Sequence, residues 1–113
     1  MRIEQWGYLK YFGSSEFKDP EKMDYDFLLK LDKARGIAGI PFVLNSTYRA
    51  KDKLSHGKGL AVDINCMTSV DRLKIVSSLI EVGFVRIGIY NKHIHVDCDK
   101  SLPQNVMWWG TSK

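Results

Sequence analysis

Two stretches of the chain place hydrophobic residues at helical spacing. The first predicts a helix over about residues 20–35. Asp19 would cap its N-terminus, and Gly36 would end it. The apolar residues predicted to form its buried stripe are Phe27, Leu28, Leu31 and Ala34.

The second stretch predicts a helix over about residues 70–82. Thr68 or Ser69 would cap its start, and Gly83 would follow its end. The residues predicted to be buried are Val70, Leu73, Val76 and Ile80.

Four shorter apolar stretches predict strands, at residues 41–47, 60–65, 85–90 and 93–98. The last two are joined by only Asn91 and Lys92, the length of a tight hairpin loop, which pairs Gly88 with His95. Because strand side chains alternate, one face of this hairpin is apolar and the other polar. The apolar face holds Val85, Ile87, Ile89, Ile94, Val96 and Cys98. The polar face holds Arg86, Gly88, Tyr90, His93, His95 and Asp97.

All three histidines of the chain fall on or beside this polar face. His93 and His95 lie on it, and His56 precedes the strand at residues 60–65, whose outward-facing carboxylate is Asp63. Two imidazoles and one carboxylate suffice to bind zinc, and a fourth position left to water makes such a site catalytic. Gly88, opposite His95, would leave space for the ion.

Composition predicts one folded domain over residues 1–113, with 44% hydrophobic and 27% charged residues. No apolar run approaches the about 18 residues that span a bilayer, and no secretory signal is recognisable, so we expect a protein made in the cytoplasm. The net charge of +4 favours an anionic partner, either nucleic acid or bacterial cell wall. Cys66 and Cys98 lack CxxC spacing and are predicted to be core residues.

Two motifs resemble a known family. SHGKGLAVDI at residues 55–64, followed by HIHVD at residues 93–97, resembles the His-x6-Asp…His zinc signature of D-Ala-D-Ala carboxypeptidases and related cell-wall peptidases. The similarity covers most of the chain. The segments YFGSSEF, MDYDFLLKLDKAR, NSTYRA, RIGIYNKHIHVD and VMWW resemble compact phage and bacterial members.

The resemblance implies the α+β hedgehog/DD-peptidase fold, with a small antiparallel sheet, helices packed on one face and a zinc site on the other. It implies that His56, Asp63 and His95 hold Zn²⁺. Arg49 matches the family arginine that engages the substrate carboxylate or the developing oxyanion. His93 matches the catalytic histidine of the His-x-His members.

The chain departs from the family at two points. The family usually has a serine two residues before the first histidine, where this chain has Leu54, with Ser55 next to the ligand. The connection from Arg49 to His56 is also short. We take Arg49, Ser55 and Tyr90 as the candidate substrate-binding residues.

Other polar and aromatic residues have two interpretations each. Asp97 would accept a hydrogen bond from a ligating imidazole or pair with Arg86. Trp108 and Trp109 would close over the core or stack on sugars or bases. A basic loop, either solvated or attracting an acidic peptide, is formed by Lys51, Lys53 and Lys58.

The sequence thus predicts a zinc metallopeptidase that hydrolyses a peptide bond in peptidoglycan stem peptides, as a carboxypeptidase or an endolysin-type endopeptidase. We expect a monomeric phage or prophage product that acts on the cell wall, with a peptidoglycan peptide as its partner and neither nucleic acid nor membrane. Two alternatives stay open. One is a catalytically inactive zinc-binding module of the same fold, and the other is a small basic nucleic-acid-binding or virion structural protein.

Overall fold

A computed structural model describes residues 1–111 as an α+β fold, the predicted class, with two α-helices and a five-stranded sheet. The helices are α1 (Tyr25–Ala38) and α2 (Ser69–Glu81). The strands are β1 (Leu44–Ser46), β2 (Ala61–Asn65), β3 (Arg86–Ile89), β4 (His93–Asp97) and β5 (Val106–Trp109). Short 3₁₀ helices occupy Ile3–Tyr8, Ser14–Glu16, Pro20–Lys22 and Ser55–Lys58. Within residues 1–111, neither helix is long and apolar enough to cross a membrane.

The sheet has the strand order β1-β2-β4-β3-β5 and is mixed. All neighbours are antiparallel except β3 and β5, which are parallel, so the expectation of an antiparallel sheet is wrong at this edge. β5 contains Trp108 and Trp109, which the sequence did not predict to lie in a strand. After β4 the chain instead turns back and adds an edge strand beside β3.

The hairpin of β3 and β4 has the predicted register, with Ile87 opposite Val96, Gly88 opposite His95 and Ile89 opposite Ile94. Its loop closes where the Tyr90 N–H donates to the His93 carbonyl at 3.0 Å. The apolar face of the sheet packs against α1 and α2. The core there contains Phe27, Leu28, Leu31, Ile75 and Leu79 from the helices and Val62, Ile64, Ile87, Ile94 and Val96 from the strands.

The bounds predicted for α1 are wrong at both ends. Its first residues form the separate 3₁₀ turn Pro20–Lys22, and α1 begins after Asp24, whose side chain accepts from the Phe27 N–H at 2.9 Å. Gly36 lies inside α1, where a side chain would collide with the Tyr11 ring. The helix ends at Gly39, whose φ of 70° is the left-handed conformation typical of a helix end.

The buried face predicted for α2 is also wrong, although its cap on Thr68 is confirmed. Ile75, Ser78 and Leu79 are buried, whereas Val70 and Leu73 are 63% and 72% exposed. The predicted set of residues and the buried set both have helical spacing, so periodicity alone does not show which of the two faces the core. Packing against α1 and β4 buries the row that contains Leu79.

Two matched substitutions on α2 test this orientation. Leu79→Ala should lower the free energy of unfolding by about 2–5 kcal/mol, because Leu79 is fully buried in the core. Leu73→Ala should change it by no more than about 0.5 kcal/mol, because Leu73 is exposed. Urea denaturation measures both, and equal losses would contradict the orientation of the helix.

Candidate metal centre

One row of side chains crosses the polar face of the sheet. Asp63 on β2 pairs with His95 on β4, which pairs with Gly88 on β3, which is the neighbour of Trp108 on β5. Paired residues lie side by side on the same face of a sheet. The pairing therefore brings the His95 Nδ1 atom to 3.0 Å from Asp63 Oδ1.

His56 reaches the same carboxylate from the 3₁₀ turn Ser55–Lys58, which immediately precedes β2. Its Nδ1 lies 2.7 Å from the Thr47 carbonyl oxygen, which can only accept, so Nδ1 carries the proton. The other nitrogen, Nε2, is buried, has no hydrogen-bond partner within residues 1–111 and lies 3.5 Å from Asp63 Oδ1. Two acceptor atoms that face each other in a buried position are satisfied by a proton or a metal ion between them.

The donor atoms have the spacing of a metal site. Ligand atoms about 2.0–2.2 Å from a tetrahedral ion lie about 3.4 Å from one another. The two separations from Asp63 Oδ1 are 3.0 Å to His95 and 3.5 Å to His56, and the three ligand atoms all lie within 4.8 Å of one another. His56, Asp63 and His95 can therefore hold a metal ion, as the sequence predicted.

The charges around these ligands favour a cation. Burial opposes ionisation of Asp63, but the nearby imidazoles of His56 and His95 hold its pKa well below the usual range. Burial also opposes protonation of His95, yet the carboxylates of Asp63 and Asp97 raise its pKa. One imidazole thus lies between two carboxylates, where a proton or a metal ion on Nδ1 satisfies the charge of Asp63.

Asp97 fulfils both of its predicted roles at once. Its Oδ2 accepts from His95 Nε2 at 2.7 Å, and its Oδ1 accepts from Arg86 Nε, also at 2.7 Å. Arg86 is itself buried, and its guanidinium lies 5.0 Å from the centre of the Trp108 ring. Asp97 therefore fixes the orientation of His95 and leaves Nδ1 directed at Asp63.

His93 stands beside the three ligands. Its Nε2 lies 3.9 Å from Asp63 Oδ1, and its ring stacks on that of Tyr90, with centroids 4.4 Å apart and planes at 11°. Burial lowers the pKa of His93; Asp63 opposes this effect, and the nearby His95 adds to it. The neutral ring is thus favoured, with its Nε2 close to the metal ligands.

The space beside Gly88, which was predicted to accommodate a metal ion, is filled by the Trp108 ring. A Cβ atom on Gly88 would lie 2.7 Å from the Trp108 indole, so the missing side chain makes room for this ring. The indole N–H donates to the Tyr90 hydroxyl at 2.9 Å, and Gly110 in turn makes room for the Tyr90 ring. The aromatic wall formed by Trp108 and Tyr90 was missed because β5 was not predicted as a strand.

Arg49 and Ser55 occupy different surroundings. Arg49 is half-exposed, and its Nη2 lies 3.7 Å from Asp63 Oδ2, at the edge of the ligand group. Ser55 is buried, and its hydroxyl donates to Asp99 Oδ2 at 3.3 Å. Its hydroxyl is thus engaged within the protein, and a contact between Ser55 and substrate stays a prediction. Lys58 is also engaged, in an ion pair of 3.0 Å with Asp99.

A cleft of about 560 Å³ adjoins the ligand group. It is lined by residues 44–51, which include Arg49 and Thr47, and by Glu16, Lys18 and Asp19. Arg49 contacts Asp63, and Thr47 holds His56, so two lining residues also contact the ligands. The cleft therefore offers access for a molecule that approaches along the β1 edge of the sheet.

Comparisons of the chain with protein-family models, curated proteins and solved structures found no match.

A matched pair of glycine substitutions tests the aromatic wall. Gly88→Ala should displace the Trp108 indole and break its hydrogen bond to the Tyr90 hydroxyl, because the added carbon would lie 2.7 Å from the ring. Gly7→Ala is the control, since nothing lies within 4 Å of a carbon added there. The indole N–H resonance of Trp108 in a ¹H–¹⁵N spectrum should shift in the first variant and stay in place in the second. An unshifted resonance in Gly88→Ala would contradict the contact.

Proposed function

We propose that this protein is a zinc-dependent peptidase that hydrolyses a peptide bond in peptidoglycan stem peptides. One observation carries the proposal: the buried, unpartnered Nε2 of His56 faces the Asp63 carboxylate and the Nδ1 of His95. The other nitrogen of each imidazole bonds to a protein acceptor, Thr47 O or Asp97. Such outer contacts orient the histidine ligands of zinc enzymes.

Zinc is the metal that this ligand set favours. Two imidazoles and one carboxylate are typical of catalytic zinc sites, which keep one position for water or substrate. When bound, zinc supplies Lewis acidity, which lowers the pKa of water and polarises a carbonyl group. His56, Asp63 and His95 would hold the ion, each with an orientation that neighbouring residues already fix.

Two further residues would act on the substrate. His93, with Nε2 near Asp63, would move protons to and from the reacting groups as a general acid and base. Arg49, half-exposed beside the ligands, would bind a substrate carboxylate or stabilise the negative charge that develops on the scissile carbonyl oxygen. Tyr90 would hold His93 in place through ring stacking, and a contact between Tyr90 and substrate stays a prediction.

The choice of a cell-wall peptide as substrate is supported by the motifs at residues 55–64 and 93–97 and by the cleft. The motifs resemble those of D-Ala-D-Ala carboxypeptidases and related cell-wall peptidases. The cleft has the volume of a small-ligand site and carries side chains of both charges, among them Asp19 and Arg49. Stem peptides are short and carry carboxylates and an amine, so they suit such a lining. We propose cell-wall action by a phage or prophage product on the same basis.

A nucleic-acid-binding function has less support. Lys58 is paired with Asp99, and the Trp108 indole is held by Tyr90 within the aromatic wall. Lys58 and Trp108 therefore do not contribute to the basic and aromatic surface that such a function requires, although Trp109 is 77% exposed.

Digestion of purified sacculi tests the proposed reaction. Zinc-loaded protein should release muropeptides whose masses identify the bond cleaved, and a chelator should abolish the release. His56→Ala and His95→Ala should lose zinc and activity together, because each removes one of the ligands. Zinc-loaded wild-type protein without hydrolysis would favour the inactive zinc-binding module, and full zinc occupancy in His95→Ala would remove the ligand assignment.

The role of His93 is tested by separating metal content from turnover. His93→Ala should retain zinc, because His93 is not one of the three ligands, and should lose about 10²–10⁴ in turnover. Elemental analysis and muropeptide kinetics measure the two properties on the same preparation. A loss of zinc would make His93 a fourth ligand, and unchanged turnover would exclude it as the general acid and base.

A further inference from the structure

We propose that Asp99 is a positioning residue for both imidazole ligands, for His56 through its carboxylate and for His95 through its backbone N–H. The inference rests on the metal-binding part of the proposed function and adds a residue that the ligand motif does not contain. Asp99 lies just beyond β4, is 2% exposed and contacts neither imidazole directly. It acts through two separate groups of contacts.

The first group of contacts holds His56. Asp99 Oδ2 accepts from the Ser55 hydroxyl at 3.3 Å and from Lys58 Nζ at 3.0 Å. Ser55 and Lys58 are the first and last residues of the 3₁₀ turn in which His56 is the second residue. The carboxylate therefore ties both ends of a four-residue turn, and the position of the His56 ring depends on that turn.

The second group of contacts holds His95. The Asp99 N–H donates to Asp97 Oδ1 at 3.1 Å, the same oxygen that accepts from Arg86 Nε. These two donors fix the plane of the Asp97 carboxylate. Its other oxygen, Oδ2, is thereby directed at His95 Nε2, 2.7 Å away.

Asp99 is an ionised buried group with a full set of donors. Ser101 donates to its Oδ1 from the hydroxyl at 2.6 Å and from the backbone N–H at 3.0 Å. Burial opposes its ionisation, but the bonds from Ser101 and Lys58 lower the pKa of Asp99 to about 2. A buried carboxylate contributes little to stability compared with apolar packing. Its specific contribution here is to connect the turn that carries His56 to the partner of His95.

Asp99→Asn tests the side-chain contacts to the His56 turn, because it keeps the size of the side chain and the backbone N–H bond to Asp97 but removes the charge and one acceptor. Zinc affinity, measured by competition with a chromophoric chelator, should fall about 10–100-fold, as for other outer-sphere residues of zinc sites. The visible spectrum of the cobalt-substituted protein should also change, because the ligand geometry relaxes. The melting temperature, measured on the same samples, gives the accompanying loss of stability.

Asp32→Asn is the matched control. Asp32 is also buried, at 5% exposure, and its carboxylate accepts from the backbone N–H groups of Lys10, Tyr11 and Phe12. Its loss should lower the melting temperature without changing zinc affinity by more than about twofold, since none of its partners supports a ligand. A purely structural Asp99 would behave like Asp32, and equal zinc affinities in the two variants would overturn the inference.

Lys58→Met provides a second variant if Asp99→Asn does not fold. It removes the donor at the end of the His56 turn and leaves Asp99 bonded to Ser55 and Ser101. A fall in zinc affinity is expected, and an affinity equal to wild type would overturn the inference. Wild-type protein that binds zinc but hydrolyses no muropeptide would contradict the peptidase proposal alone, whereas wild-type protein without zinc affinity would contradict both.

Discussion

The pairing of β2 with β4 is the constraint on which the candidate site depends. It sets Asp63 directly opposite His95 and leaves Val62 and Ile64 on the opposite, buried face. A slip of one residue would exchange the faces, exposing the apolar side chains and burying Asp63. The packing of the core thus determines where the candidate metal ligands lie.

The charged groups beneath the ligands form one connected network of hydrogen bonds and ion pairs. Asp97 joins His95 to Arg86, and Asp99 joins Asp97 to Lys58. Removing Asp97 would leave the buried Arg86 guanidinium uncompensated, a loss that costs about 3–5 kcal/mol in other proteins. Fold stability and ligand orientation therefore share the same residues, and substitutions in this set act on both. Measurements that separate affinity from stability are needed to assign any one member a role.

The predictable parts of this protein are those in which a local rule has one solution. A two-residue loop and alternating side chains allow one register, so Gly88 opposite His95 followed from the sequence. The placement of His95 and Asp63 on one face followed from the same alternation. Which face of α2 is buried could not be predicted, because the residues around Leu73 and those around Leu79 both have helical spacing. Nor could the place of Trp108, which depends on a parallel pairing between strands distant in sequence.

The ion pairs around the site have a consequence for the total charge there. Asp63 and Asp52 lie against Arg49, Asp97 against Arg86 and Asp99 against Lys58, so four carboxylates exceed three cations by one negative charge. A divalent ion held by neutral imidazoles and Asp63 would leave one positive charge unbalanced. Anions would then be attracted to the ion, and a peptide ending in a free carboxylate would bind more tightly than its amide. Inorganic phosphate would compete for the same place.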